Sequence, residues 1–141
     1  MTWEQRGSDW LHGARLRPTR QRLALATLLV GDGNDRHVTA ENLHRACLAG
    51  PDAVSLATVY NTLRTFCAVG LMNEIPMGGN KSYFDTRVDD HPHFYWEESG
   101  ELTDAPKDML RFASLPDVPA GHELTKIDVV IRLRKTSKIS S

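Results

Sequence analysis

SLATVYNTLRTFCAVGL, residues 55–71, reads as a helix with two unlike sides. Ser55 has the side chain of an N-cap and Gly70 that of a stop. Between them Leu56, Val59, Leu63 and Phe66 recur at i, i+3, i+7 and i+10 as one apolar stripe. The opposite side holds Ala57, Thr58, Asn61, Arg64 and Thr65, with Tyr60 on the flank, and it contains no acid. Those residue types suit a DNA major groove: Asn reads adenine, Arg reads guanine or meets phosphate, and small methyls or a tyrosine ring meet thymine methyls. An ordinary solvated helix can carry the same residues, so its surroundings have to choose between the two readings.

Upstream, residues 3–14 read as a short helix with Trp3, Trp10, Leu11 and Ala14 as its apolar side. LRP breaks it. Pro18 or Thr19 then opens a second helix, in which Leu23, Ala26, Leu29 and Val30 keep helical spacing as far as Gly31. GDGNDRH is a turn-rich loop, and Thr39 caps a third helix through Leu43, Ala46 and Cys47, closed by Gly50 to Asp52. Downstream, LMNEIPM, the turn GGN and KSYFDT predict a β-hairpin, because Gly78 and Gly79 supply the positive φ of a tight reversal. After the short first helix, three helices followed by a hairpin, the last of the three presenting the polar face, predict a winged helix-turn-helix over residues 1–86. Arg17, Arg20, Ser55 and Lys81, which sits where a wing would meet the backbone, then join Thr58, Tyr60, Asn61 and Arg64 as candidate DNA-binding residues.

The whole chain has 141 residues, 40% hydrophobic and 25% charged, with 10 Gly and 7 Pro, which excludes disordered, collagen-like and coiled-coil classes. No apolar run reaches the roughly 18 residues of a bilayer span, and MTWEQRGSDW lacks the features of a secretory leader, so the expected setting is cytoplasmic, with no membrane partner. The net charge of −1 hides an uneven distribution. Arg15, Arg17, Arg20 and Arg22 fall in eight acid-free residues, whereas residues 89–108 hold seven acids and one Lys.

Residues 87–93 read as a hinge and 94–141 as a second domain. There Phe94–Glu98 and Glu101–Thr103 are expected to pair across Ser99-Gly100, residues 107–114 to form a short helix, and 126–134 to form a strand in which Ile127, Val129, Ile131 and Leu133 alternate with polar residues. The predicted class is α+β. So small a unit buries little alone, and a second copy of the chain is the expected cover for its apolar surface.

His91-Pro92-His93 places two imidazoles on one side of an extended segment, and Asp85 and His37 would complete an N/O ligand set for a metal ion if the fold brings them in. Three ligands and a water would make a hydrolytic centre, but HExxH, GxSxG and a phosphate loop are all missing from the sequence, so no enzyme activity is expected. Cys47 and Cys67 belong to no CxxC pair and read as buried thiols; His12, His44 and His122 are isolated and read as structural.

Taken together, LRPTRQR (16–22), HVTAENL (37–43), SLATVYNTLRTFCAVGL (55–71), GGNKSYFD (78–85) and HPH (91–93) resemble the ferric uptake regulator superfamily of bacterial metal-sensing repressors. IDVVIRLRK (127–135) and the segment 100–104 look most like its iron response regulators (Irr) of alphaproteobacteria. The resemblance implies a homodimer on double-stranded DNA with an inverted repeat, with tetramers an open alternative. Tyr60 would contact thymine, Asn61 would stand at a base or phosphate contact, and Arg17 would reach the minor groove. It also implies an inter-domain regulatory site of His37, Asp85, His91 and His93, Asp85 replacing the more frequent Glu. The implied role is transcriptional repression in iron or haem homeostasis, with DNA bound when iron is scarce and released as haem accumulates. Trp96-Glu97-Glu98-Ser99 stands where zinc-requiring members carry CxxC, so no Cys-type structural zinc is expected. The family's second metal site also fails, its Asp falling at Pro92 and its distal His near Ile127 and Asp128. Without a Cys-Pro motif, haem would be ligated by His91 and His93, or the same residues would hold a divalent metal. The alternatives are a repressor of the same superfamily that answers Fe, Mn or Zn and not haem, a haem or metal carrier, and a metal-dependent hydrolase.

Overall fold

Four helices and three strands make the first of two compact units in the computed structural model, which describes residues 1–137; this unit is Met1–Val88, and the second begins at Asp89. The α1 helix (Trp3–Gly13) starts in a capping box, Thr2 accepting from the Gln5 amide and Gln5 from that of Thr2. Thr19 caps α2 (Arg20–Val30), Thr39 and Asn42 box α3 (Ala40–Leu48), and Ser55 caps α4 (Leu56–Ala68). Each start satisfies an amide that the first turn leaves orphaned. The core joins Leu11, Leu25, Ala26, Leu29, Leu43, Val59, Leu63 and Phe66, with Trp10 edge-on to Phe66 at 5.1 Å between centroids.

Several predicted core positions move. Trp3 is 57% exposed, and Ala46 and Leu56 face solvent, while Leu25 is fully buried. Leu25 is covered because α2 packs against both α1 and α3, so more than one side of it is buried. Cys47 is buried as expected, but Cys67 only half so.

The hairpin forms as predicted from β2 (Asn73–Gly78) and β3 (Lys81–Asp85), with Gly78 and Gly79 at φ +98° and +60°. A two-residue strand β1 (His37–Val38), placed in or beside a loop by sequence, adds antiparallel to the other edge of β3, giving the order β1-β3-β2. Reciprocal backbone and side-chain bonds between Arg36 and Thr86 extend this junction.

In the second unit β4 (His93–Trp96) pairs antiparallel with β5 (Glu101–Asp104) across Gly100 at φ +73°, and parallel with β6 (Val130–Leu133). Together the two units bear out an α+β fold. The helix predicted over 107–114 does not form. It reduces to a 3-10 turn, Lys107–Met109, because Pro106 gives no side-chain cap and Met109, Phe112 and Leu115 remain exposed with nothing to bury them. The strand predicted over 126–134 shortens to four residues, since β4 offers a ladder of only that length. Residues 138–141 of the second predicted domain lie outside the described residues. Among the described residues no helix is long and apolar enough to cross a membrane.

Candidate functional site

The buried stripe of α4 fixes which side looks outward. Val59, Leu63 and Phe66 are fully buried, so a step of 100° per residue leaves Ala57, Asn61 and Arg64 exposed and Thr58, Tyr60 and Thr65 half-buried. Ser55 Oγ accepts from the Thr58 amide at 3.1 Å and donates to the Thr58 hydroxyl at 3.0 Å. Between α4 and the hairpin runs a groove of about 540 Å³, bounded by Tyr60, Asn61, Arg64, Pro76, Asn80 and Lys81. Tyr60, Asn61, Arg64 and Lys81 among them are predicted DNA-binding positions. Arg17 is exposed at the entry to α2, and its carbonyl accepts from Arg22 Nη1 at 3.1 Å. Arg20 is exposed but engaged, its Nε donating to Asp52 Oδ1 at 2.6 Å.

Acids from other elements lie against this face that helical periodicity did not anticipate: Glu74 of β2 lines the groove, and Glu41 makes a direct contact. Tyr60 donates its hydroxyl to Glu41 Oε1 of α3 at 2.7 Å, across 19 residues of sequence. That hydrogen bond raises the Tyr60 pKa above the usual 10.0 and holds the Glu41 carboxyl below 4.5. Arg64 lies over the Tyr60 ring with its guanidinium carbon 5.6 Å from the centroid, a cation–π stack.

The predicted ligands are distributed between the units. In the first, the β1–β3 register sets His37 opposite Asp85, and His37 Nε2 stands 3.0 Å from Asp85 Oδ2. The other oxygen, Oδ1, accepts the Arg87 amide at 2.8 Å, which fixes the carboxylate plane. The Asp85 side chain is only 1% exposed. Burying a carboxylate that completely requires charged or hydrogen-bonding company, and His37 and the Arg87 amide provide it.

In the second unit the His91 and His93 rings lie side by side with centroids 4.3 Å apart and planes tilted by 50°. Their Nε2 atoms lie 2.8 and 3.7 Å from one oxygen, Asp104 Oδ1, while His91 Nδ1 meets the Asp89 carbonyl at 2.6 Å. A carbonyl only accepts, so Nδ1 is the donor in that bond, and Nε2 is the His91 nitrogen that faces Asp104 and is left to serve as a ligand atom. Asp104 is the functional candidate that sequence reasoning missed. Its signal was present: with Gly100 turning the hairpin, Trp96 faces Glu101 and counting outward sets His93 opposite Asp104.

Residues 13–129 match the Ferric uptake regulator family. The chain belongs to that family. Curated relatives include the peroxide-responsive repressors PerR of Staphylococcus saprophyticus, 33% identical over 93 residues, and of Staphylococcus aureus (strain Mu50), 33% identical over 94. The first alignment covers 66% of this chain and 60% of the relative, so the match spans about three fifths of the relative's length. These two relatives are named for peroxide and not for iron response. Among solved structures, a ferric uptake regulator from Pseudomonas aeruginosa with manganese is 26% identical, with TM-score 0.65, over 93% of this chain and 98% of that one. The Vibrio cholerae ferric uptake regulator, 21% identical with TM-score 0.66, shares the fold over 91% of this chain and 98% of its own.

Proposed function

We propose that this chain is a DNA-binding transcriptional regulator, working as a homodimer on an inverted repeat, whose DNA affinity is set by a divalent metal ion. The observation that carries the reading is the outward side of α4: Asn61 and Arg64 stand exposed beside a polar groove, with Lys81 on its far bank. Membership of the family and the likeness to a manganese-bearing relative support it.

His37 and Asp85, with His91, His93 and Asp104, are proposed as the ligands of one ion; Asp85 and His91 are only six positions apart in the chain. Three imidazoles and two carboxylates, without a thiolate, suit Fe(II), Mn(II) or Zn(II). When bound, the ion supplies the positive charge that holds these groups together. The protein's own residues do the rest: the Asp89 carbonyl sets the His91 tautomer and the Arg87 amide orients Asp85. Haem held by His91 and His93, in iron or haem homeostasis, is the narrower reading, and it requires His91 Nε2 to leave Asp104. The peroxide-responsive relatives support a second reading, in which a redox-active ion in the same ligand set reports peroxide.

A gel-shift series against salt tests the core of the proposal. A regulator binds an inverted-repeat duplex with a steep salt slope, Arg17→Ala and Tyr60→Ala weaken it, and His93→Ala keeps metal-free DNA binding while blunting the metal response. Sequence-independent binding by the wild type would defeat it. A Soret band on haem addition, absent in His91→Ala, would favour the haem reading; loss of DNA binding after peroxide treatment of the iron-loaded protein alone would favour the second.

A further inference from the structure

Glu41 carries the wrong charge to touch a phosphate, yet it grips the best aromatic candidate for base contact. Its carboxylate accepts the Tyr60 hydroxyl at 2.7 Å, and the Tyr60 ring in turn lies under the Arg64 guanidinium. Three residues from two helices thus form one stack, with Arg45 and Lys81 the cations whose charge acts on Glu41. Two physical effects follow. A phenol donating to a carboxylate loses ring rotation, so the edge it offers to a base is preset. The same bond pushes electron density into the ring, which strengthens its hold on a cation over its face.

We infer that Glu41 is a positioning residue for DNA reading: through Tyr60 it sets the placement of Arg64, so that it supports discrimination between DNA sequences while its charge opposes overall attraction to DNA. The inference rests on the proposed DNA-binding function. It separates two quantities that usually move together. Removing a negative charge from a DNA-facing surface should raise affinity for any duplex, because fewer like charges oppose the phosphates. Removing the acceptor should at the same time lower preference for the correct one.

The test uses the full chain and two duplexes: an inverted repeat recovered from a random library by the wild-type protein, and a scrambled duplex of equal composition. Glu41→Ala is expected to bind the scrambled duplex at least as tightly as wild type while its preference for the selected duplex drops about tenfold, the worth of one well-made polar contact. Glu41→Gln keeps an acceptor oxygen and loses the charge, so it should restore most of the preference. Tyr60→Phe should match Glu41→Ala, and the double variant should be no worse than either. A tyrosinate titration, taken as the difference between each protein and its Tyr60→Phe counterpart, supplies a reading independent of DNA: the Tyr60 transition should move to lower pH in Glu41→Ala.

If the wild type selects no inverted repeat, the function proposed above fails and this inference with it. If it does select one but Glu41→Ala keeps its preference, or loses affinity for both duplexes equally, the positioning role is wrong and the function stands.

Discussion

Asp104 Oδ1 stands 2.8 Å from His91 Nε2 in the second unit, joining the second strand of a hairpin to a residue two positions before the first. The register makes this specific, because β5 carries Asp104 opposite His93 and brings one carboxylate oxygen within reach of both imidazoles. In the proposed site Asp104 is therefore either a ligand or the group that orients the ligands.

Asp104→Ala should weaken binding of Mn(II) about 10- to 100-fold in a calorimetric titration, the usual range for removing such a partner. The change should leave metal-free DNA binding intact. Unaltered Mn(II) affinity would take Asp104 out of the site.

The Glu41–Tyr60 contact gives stability a defined pH window. Glu41 is depressed, so its contribution is present above the ordinary value of 4.5 and disappears as pH falls through the lower folded value. Tyr60 is raised, so its contribution is whole below 10.0 and disappears as pH climbs through the higher folded value. Urea unfolding of wild type against Tyr60→Phe should show a constant gap of about 0.5 kcal/mol from pH 5 to 9, small because Glu41 and the contact itself are open to solvent. The gap should close at both extremes.

Phe66→Ala removes a fully buried ring that Trp10 meets edge-on. A loss of about 3–5 kcal/mol is expected, most of the stability of so small a unit. Thermal unfolding followed by circular dichroism checks it; a midpoint within a few degrees of wild type would show that the cavity collapses.

Gly78→Ala tests the wing. Its φ of +98° is a conformation that L side chains rarely adopt, although the space around it is open, so the cost is backbone strain of about 1 kcal/mol or more and not a clash. The hairpin should loosen while α4 stays folded, visible as faster amide exchange confined to 73–85.

What could be read in advance divides along range. Of the two openings read for the second helix, Pro18 and Thr19, the structure caps it with Thr19. The caps at Thr39 and Ser55 and the glycine turn at 78–79 are set by neighbours and appear in the structure as read. So does the buried stripe from Val59 to Phe66. The failures came where partners are distant or scarce. Strand β1 exists because β3 offers an open edge, which residues 37–38 do not announce. Residues 107–114 carry a helical pattern but find no surface to bury it. Of the site, the histidines and Asp85 were visible as types and spacing, Asp104 only through the hairpin register, and Glu41 not at all, since nothing local links α3 to a tyrosine 19 residues on.

Strand β3 is five residues long, with Lys81 at one end and Asp85 at the other. At about 3.3 Å per residue the two are roughly 13 Å apart along a strand paired with β2, whose register shifts between Pro76 and Gly78 beside the lysine end. No flexible loop intervenes to absorb movement. A tug on the carboxylate end can therefore reach the lysine end only along this one strand, and a double-mutant cycle on Asp85 and Lys81 measures how much of it arrives.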